Sequence, residues 1–305
     1  MSDSHSVEPD PSRIGRVGTA PFVFLPDPEE LFARRSARLR VLAASSELGP
    51  YLNFLAAIAE AQADIVSATP APAPPPAEAL ARAREFAMPS LDRATAASDA
   101  GLRETCRALF AALAAAPKPA AAEAALARVR QADDAELDHL IAAALGDVAP
   151  TSEVAEHILL TAALQIHFTR LAAQLEPDAL KPVGTGACPA CGGPPAVSII
   201  SGRAGAEGAR YAACALCSTL WNEVRVKCLA CGSTEGVGYE EIEGHAGTVK
   251  AETCDTCSGY LKVLYQDKDP ALEPIADDVA SLALDQLLRG SDYRRAGVDP
   301  YLVGY

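Results

Sequence analysis

The four segments 188-CPACG-192, 214-CALCS-218, 228-CLACG-232 and 254-CDTCS-258 carry eight of the chain's nine cysteines, and their reading decides the fold. A Cys-x-x-Cys turn sets two thiolates on one side of a tight knuckle, and two knuckles complete a tetrahedral four-sulfur site. Cys188 and Cys214 are 26 positions apart, as are Cys228 and Cys254, and the two groups repeat with a period of 40 residues. The repeat extends past the cysteines: Val197 aligns with Val237, Ala206 with Ala246, and Arg210 with Lys250. This is a tandem duplication. Each copy reads as knuckle, hairpin, knuckle and closing strand. Gly192 and Gly232 follow the first knuckle of each copy, where a positive φ turns backbone N–H groups toward sulfur.

That layout is the layout of a zinc ribbon or a rubredoxin. The matched spacing points to Cys188, Cys191, Cys214 and Cys217 on one metal ion and Cys228, Cys231, Cys254 and Cys257 on a second. Crossed pairing is the alternative, since only ten residues separate Cys217 from Cys228, but it would leave the duplicated hairpins without a role. Zinc and iron share the preference for four sulfurs in a tetrahedron, so the ligand type does not separate them. Structural disulfides are the competing reading, and a reducing compartment disfavours them. A thioredoxin-type redox pair needs a βαβ setting that the flanking sequence lacks.

Upstream of the repeat the pattern is helical. Half of the 305 residues are apolar but only 5% are aromatic, with Ala abundant, a composition suited to closely packed helices. In PDPEELFARRSARLRVLA, Asp27 is a candidate N-cap, Pro28 opens the first turn, and Leu31, Phe32, Leu39 and Leu42 recur at helical spacing. YLNFLAAIAEAQADIV repeats the pattern. The run TPAPAPPPA, 69–77, cannot be helical and reads as an extended connection. Further helices are expected over Ala97–Ala116, Ala120–Arg130, Asp134–Leu145 and Ser152–Leu175, the last capped by Thr151 or Ser152. Beyond 181–186 short β-type runs take over: AVSII, TLWNEVRV, VGYEEIE and LKVLY. EPIADDVASLALDQLLRG then reads as one closing helix, with Asp277 and Asp278 serving its N-terminus. The expected architecture is α+β: a flexible tail (1–20), an all-α domain (21–183), tandem rubredoxin or zinc-ribbon-like metal units (184–226 and 227–267), and a C-terminal helix and tail (268–305).

A net charge of −14 argues against general binding to phosphate backbones or anionic membranes. The repeat region, 184–268, has seven Lys and Arg against nine Asp and Glu, and four-thiolate sites would add further negative charge. The polar amino terminus is not a secretory signal, and the longest uncharged stretch, 182–202, is too broken for a membrane helix. The expected setting is cytoplasmic. Cys106 reads as a buried core thiol, His139, His157 and His167 as isolated side chains, and His245 as a solvent-exposed hairpin tip. Phosphate loops, nucleophile elbows and His-Glu-x-x-His are all absent, which argues against an enzyme.

FLPDPEELFARRSARLRVLA with YLNFLAAIAEAQ, then CPACGGPP, the three further cysteine pairs, and the ending DDVASLALDQLLRGSDYRRAGVDPYL together resemble the formate dehydrogenase accessory proteins, the FdhE family. The resemblance covers nearly the whole chain after the tail. Asp299 departs from it, standing where Asn is expected. The resemblance implies a non-enzymatic assembly protein that binds the catalytic subunit of formate dehydrogenase in the cytoplasm. It also implies rubredoxin-like iron held by the eight paired cysteines. Two other classes fit the repeat alone: a rubredoxin-like electron carrier and, against the charge argument, a zinc-ribbon nucleic-acid-binding protein.

Overall fold

Helix α1 (Pro28–Ala43) starts where the sequence places it: the Glu29 N–H donates to the Asp27 carboxylate at 3.0 Å. It pairs with α2 (Gly49–Ala68) as a helical hairpin that buries Phe32, Leu39, Leu52, Leu55 and Ile58. The computed structural model describes residues 20–146, 153–244 and 246–302. The Pro-rich connection has neither helix nor strand over 69–76, Ala77 already opening the next helix, and Pro76 is in the polyproline region at φ −57°, ψ 142°. It is tethered to the turn that follows a later helix, since the Gln174 amide donates to the Pro72 carbonyl at 3.1 Å. Helices α3 (Ala77–Glu85), α4 (Arg93–Ala96), α5 (Ala100–Ala112), α6 (Ala120–Gln131) and α7 (Asp134–Leu145) follow. Asp92, Asp99 and Asp133 cap α4, α5 and α7 by accepting N–H bonds of 2.8–2.9 Å.

Helix α8 (Val154–Ala172) is buried without interruption from Ile158 to Arg170. A helix buried on every side must lie inside other elements, and α1, α2, α5, α6 and α7 all pack on it. The expected cap at Thr151 or Ser152 lies outside the described residues, as do the expected flexible tail through residue 19 and the hairpin tip at His245. No helix among the described residues is long and apolar enough to cross a membrane.

The second half is one sheet. Strands β2 (Pro195–Ile200), β3 (Arg210–Cys214) and β4 (Leu220–Glu223) form the first unit, and β5 (Val237–Glu240), β6 (Val249–Cys254) and β7 (Gly259–Tyr265) the second. Each unit is antiparallel. They join through a parallel seam of β2 on β7, with Ser198 opposite Val263 and Ile200 opposite Tyr265. Two short strands extend the sheet. β1 (Val23–Phe24) adds to β4, with Val23 opposite Trp221, so the residues just before α1 belong to the sheet and not to the helical region. β8 (Arg294–Arg295) lies beside β7. Two residues are too short a run to show period-two patterning, so both escape a sequence reading.

The closing helix is broken. It forms α9 (Pro274–Ala280) and α10 (Leu282–Leu288), parted at Ser281. The cause is Lys262 on β7: its fully buried ammonium donates to the carbonyls of Asp278 (2.8 Å) and Ser281 (3.2 Å). Those acceptors are thereby shared with the helix's own N–H groups, while the Ser281 hydroxyl donates to Asp277 O at 2.7 Å. The acidic pair also divides its roles. Glu273 is the N-cap; Asp277 accepts the Glu273 N–H at 2.7 Å and pairs with Arg38 at 2.6 Å. Asp278 does not serve the N-terminus. It is buried against Lys262 and Arg295.

The two halves meet at a buried guanidinium. Arg35 on α1 is 1% exposed; its Nε and Nη2 each donate to Glu273 at 3.0 Å, and its Nη1 to Gln165 on α8 at 3.3 Å. Gln165 also accepts the Tyr301 hydroxyl at 2.9 Å and donates to the Ala215 carbonyl, inside the second knuckle, at 2.9 Å. Helical half, metal half and tail therefore share one polar junction.

Removing one member of a buried pair leaves an uncompensated charge, which costs about 3–5 kcal/mol. Glu273→Ala is expected to lose that much in denaturant unfolding. Glu60→Ala, which breaks the exposed Arg40–Glu60 pair, is expected to lose at most about 1 kcal/mol. Equal losses would refute the central place given to Arg35. A second prediction concerns Asp299, which is buried with no donor at its Oδ2. Burial, then the neighbouring Asp278 carboxylate, raises its pKa well above the ordinary 3.8. A raised carboxyl contributes stability below its unfolded pKa and loses it as pH rises through the folded value. Asp299→Asn removes that loss, so its melting-temperature advantage over the parent should grow as pH climbs from 4 toward 8. A constant difference across that range would exclude the effect.

Candidate metal centres

One knuckle backbone recurs. In the first unit the Cys188 N–H donates to Gly193 O at 2.9 Å and the Gly192 N–H to Cys188 O at 2.8 Å. In the second, the Cys228 N–H donates to Ser233 O at 2.8 Å and the Gly232 N–H to Cys228 O at 2.9 Å. Gly192 and Gly232 have φ of +73° and +80°, as their positions require. The other knuckle of each unit ends on a serine in the same region: Ser218 at +58° and Ser258 at +53°. Sequence reasoning passed over these serines, although their matched places in CALCS and CDTCS carried the signal.

The folding of each unit brings its four sulfurs together. Cys188 and Cys217 are 3.6 Å apart and Cys191 and Cys214 are 3.4 Å apart; in the second set Cys228–Cys257 is 3.7 Å and Cys231–Cys254 is 3.8 Å. Within each set all four sulfurs lie within 4.8 Å of one another. A metal–sulfur distance of about 2.3 Å gives a tetrahedron with edges of about 3.8 Å, whereas a disulfide needs about 2.05 Å. The geometry therefore suits a four-coordinate ion, and the two groups could hold two metal ions. The donor set is as acceptable to iron as to zinc.

The electrostatics of the first set suits a cation. Burial, then the neighbouring sulfurs, raises the Cys188 thiol well above its ordinary value. Burial acts the same way on Cys214, but S–H donors from Cys188, Cys191 and Cys217 overcome it and hold that thiol well below. The N–H groups of Leu216 and Cys217 also point at the Cys214 sulfur, each at 3.4 Å. Without a cation one thiolate is favoured at its neighbours' expense; a divalent ion lets all four ionise.

Other candidates stay structural. Cys106 on α5 is fully buried, and burial pushes its thiol up to about 12, which makes it an inert core side chain. Burial lowers both His157 and His167, and neither belongs to a sulfur set. Arg210 and Lys250, equivalent in the repeat, have diverged. Arg210 is buried and bridges the units by pairing with Glu252 at 2.7 Å, while Lys250 makes a local pair with Glu241 at 2.8 Å.

Family models match along nearly the whole chain: "FdhE, N-terminal" over residues 20–185, "FdhE, central domain" over 187–225, and "FdhE, C-terminal domain" over 226–302. A protein of Rhizobium meliloti named "Protein FdhE homolog" is 51% identical over 98% of each chain. One of the same name from Cronobacter sakazakii is 35% identical over 92% of this chain and 91% of its own. The crystal structure of the FdhE protein from Pseudomonas aeruginosa superposes with a TM-score of 0.81 at 34% identity, covering 93% of this chain and 99% of that one.

Each set lies wholly within its own unit, so losing one should spare the other. Cys254→Ser/Cys257→Ser is expected to retain one metal equivalent by elemental analysis and to melt close to the parent. Cys214→Ser/Cys217→Ser should also drop to one equivalent but melt well below it, because the first four cysteines belong to the main hydrophobic core. The reverse order of melting temperatures would contradict this.

Proposed function

The chain belongs to the FdhE family, and from that premise we propose that it is a non-catalytic accessory protein of formate dehydrogenase biogenesis. In this reading it works in the cytoplasm, binding the catalytic subunit of the enzyme during assembly. Cys188, Cys191, Cys214 and Cys217 hold one iron, and Cys228, Cys231, Cys254 and Cys257 hold the other. The supporting observation is that all eight paired thiols gather into two closed four-sulfur sets in a chain that matches the family along its length. Four protein sulfurs leave no coordination position for a substrate. An iron so held supplies a one-electron couple or a structural clamp, and neither is a site for turning over formate. The acidic surface implied by a net charge of −14 agrees with a protein partner rather than a nucleic acid.

Deletion of the gene is expected to abolish formate dehydrogenase activity while the catalytic polypeptide is still synthesised. A tagged copy should restore activity and co-purify that polypeptide. Undiminished activity in the deletion strain, grown with formate as electron donor, would show the assignment to be wrong.

A further inference from the structure

The two sulfur sets share spacing and knuckle geometry but not surroundings. Cys188, Cys191, Cys214 and Cys217 are 0%, 2%, 2% and 0% exposed, and all four belong to the main hydrophobic core. The helical half clasps them. The Leu91 N–H donates to Ala190 O at 2.8 Å, within the first knuckle. Pro89 sits so close over Gly192 that a Cβ there would come within 2.9 Å of its ring. Gln165 on α8 holds the carbonyl of Ala215, in the other knuckle. In the second set Cys228 and Cys254 are buried, but Cys231 and Cys257 are exposed to solvent. Among the described residues this set contributes nothing to the main core. Its first knuckle lies under the 185–186 segment, where a Cβ on Gly186 would come within 2.2 Å of the Leu229 carbonyl. Its second is covered by the tail, through Tyr293 on Asp255 (2.6 Å) and the Arg294 N–H on Ser258 O (2.7 Å). A cavity of about 330 Å³ opens beside Cys228, lined in part by Thr185, Glu252, Tyr260 and Ala296.

Resting on the metal reading above, we infer that the second set is the protein's metal-exchange site. The ion held by Cys228, Cys231, Cys254 and Cys257 is gained and surrendered with the fold intact, whereas the first set keeps its ion. Exchange at a four-thiolate site proceeds by ligand substitution. An incoming soft donor, such as a thiolate of another protein, gives an electron pair to the ion. One cysteine sulfur then leaves with its own pair and takes a proton from water, and no electrons change owner. At the second set Cys231 and Cys257 present the ion's coordination sphere to solvent, so the incoming donor reaches it without a segment opening. At the first set the same approach requires the 89–93 segment to lift from the knuckle, and exchange there waits on local unfolding.

The full-length protein, loaded with two equivalents of zinc, tests this with a chromogenic chelator at neutral pH. One equivalent is expected to leave at least about tenfold faster than the other. Under limiting iodoacetamide, peptide mass spectrometry should find Cys231 and Cys257 alkylated first. Cys254→Ser/Cys257→Ser should lack the fast phase and keep the slow one; the alkylation map of the unaltered protein decides the matter should that variant misfold. Two ions leaving at one rate, or alkylation beginning in the first set, would overturn the inference and leave the metal reading standing. Failure to retain two equivalents at all would overturn both.

Discussion

A guanidinium taken out of water organises the contact between the halves of this protein. Arg35 is buried beneath Phe32, whose ring centroid lies 5.5 Å from the guanidinium carbon. Desolvating such a group costs several kcal/mol unless its N–H groups are matched. The matching groups come from far along the chain: Glu273 at the head of α9 and Gln165 in the middle of α8. Glu273 is itself fixed because its second oxygen accepts the N–H groups of Ile275 (3.1 Å) and Ala276 (2.7 Å). The position of α1 therefore dictates that of α9, and α9 packs on β2 at the centre of the sheet. A buried ion pair is weak evidence for stability but a strong device for register, because any sliding of one element strands a charge.

The duplication shows how one local geometry acquires two environments. The first knuckles of the two units match hydrogen bond for hydrogen bond, since the Cys-x-x-Cys-Gly backbone dictates them. The sheet order places each unit's third strand before its first, so the copies are joined head to tail through β2 and β7. Head-to-tail joining cannot give both copies the same neighbours. The first unit gains β1 on its outer edge and the helical half over its knuckles. The second is left with β5 as a partly exposed edge. The substitutions follow. Arg210 and Glu252 face each other across the seam, whereas their counterparts in the other copy, Lys250 and Ala212, have no such partner to meet.

Much of this was legible in the residues, and the division has a physical basis. The eight cysteines and the two glycines were readable because their chemistry is local: spacing alone sets which sulfurs meet and which φ the chain needs. Helices α1, α6 and α7 were equally plain, with Asp27 and Asp133 acting as caps that need only their own first turn. The break at Ser281 was not readable, because EPIADDVASLALDQLLRG has no proline or glycine between Ile275 and Arg289; the agent is Lys262, whose partners are set by tertiary structure. The fate of Asp278 was hidden for the same reason. An aspartate near a helix start is ordinarily a dipole partner, and only the fold reveals two cations beside it.

The same distinction bears on what the metal sets are for. A small β-unit clamped by four sulfurs is rigid without a large apolar core. In the first copy, however, the core is already there, and the sulfurs are simply part of it. An ion at that set would hold the knuckle against α8 and the 89–93 segment, and so would secure the junction around Gln165. In the second copy the sulfurs themselves lie outside that core, which reaches their knuckle only through Leu229, so an ion there would organise its own unit, the 185–186 segment and the tail. The tail returns to Gln165 through Tyr301. Tyr293 on Asp255, β8 on β7 and Tyr301 on Gln165 thus form one physical path from the exposed set to the buried junction.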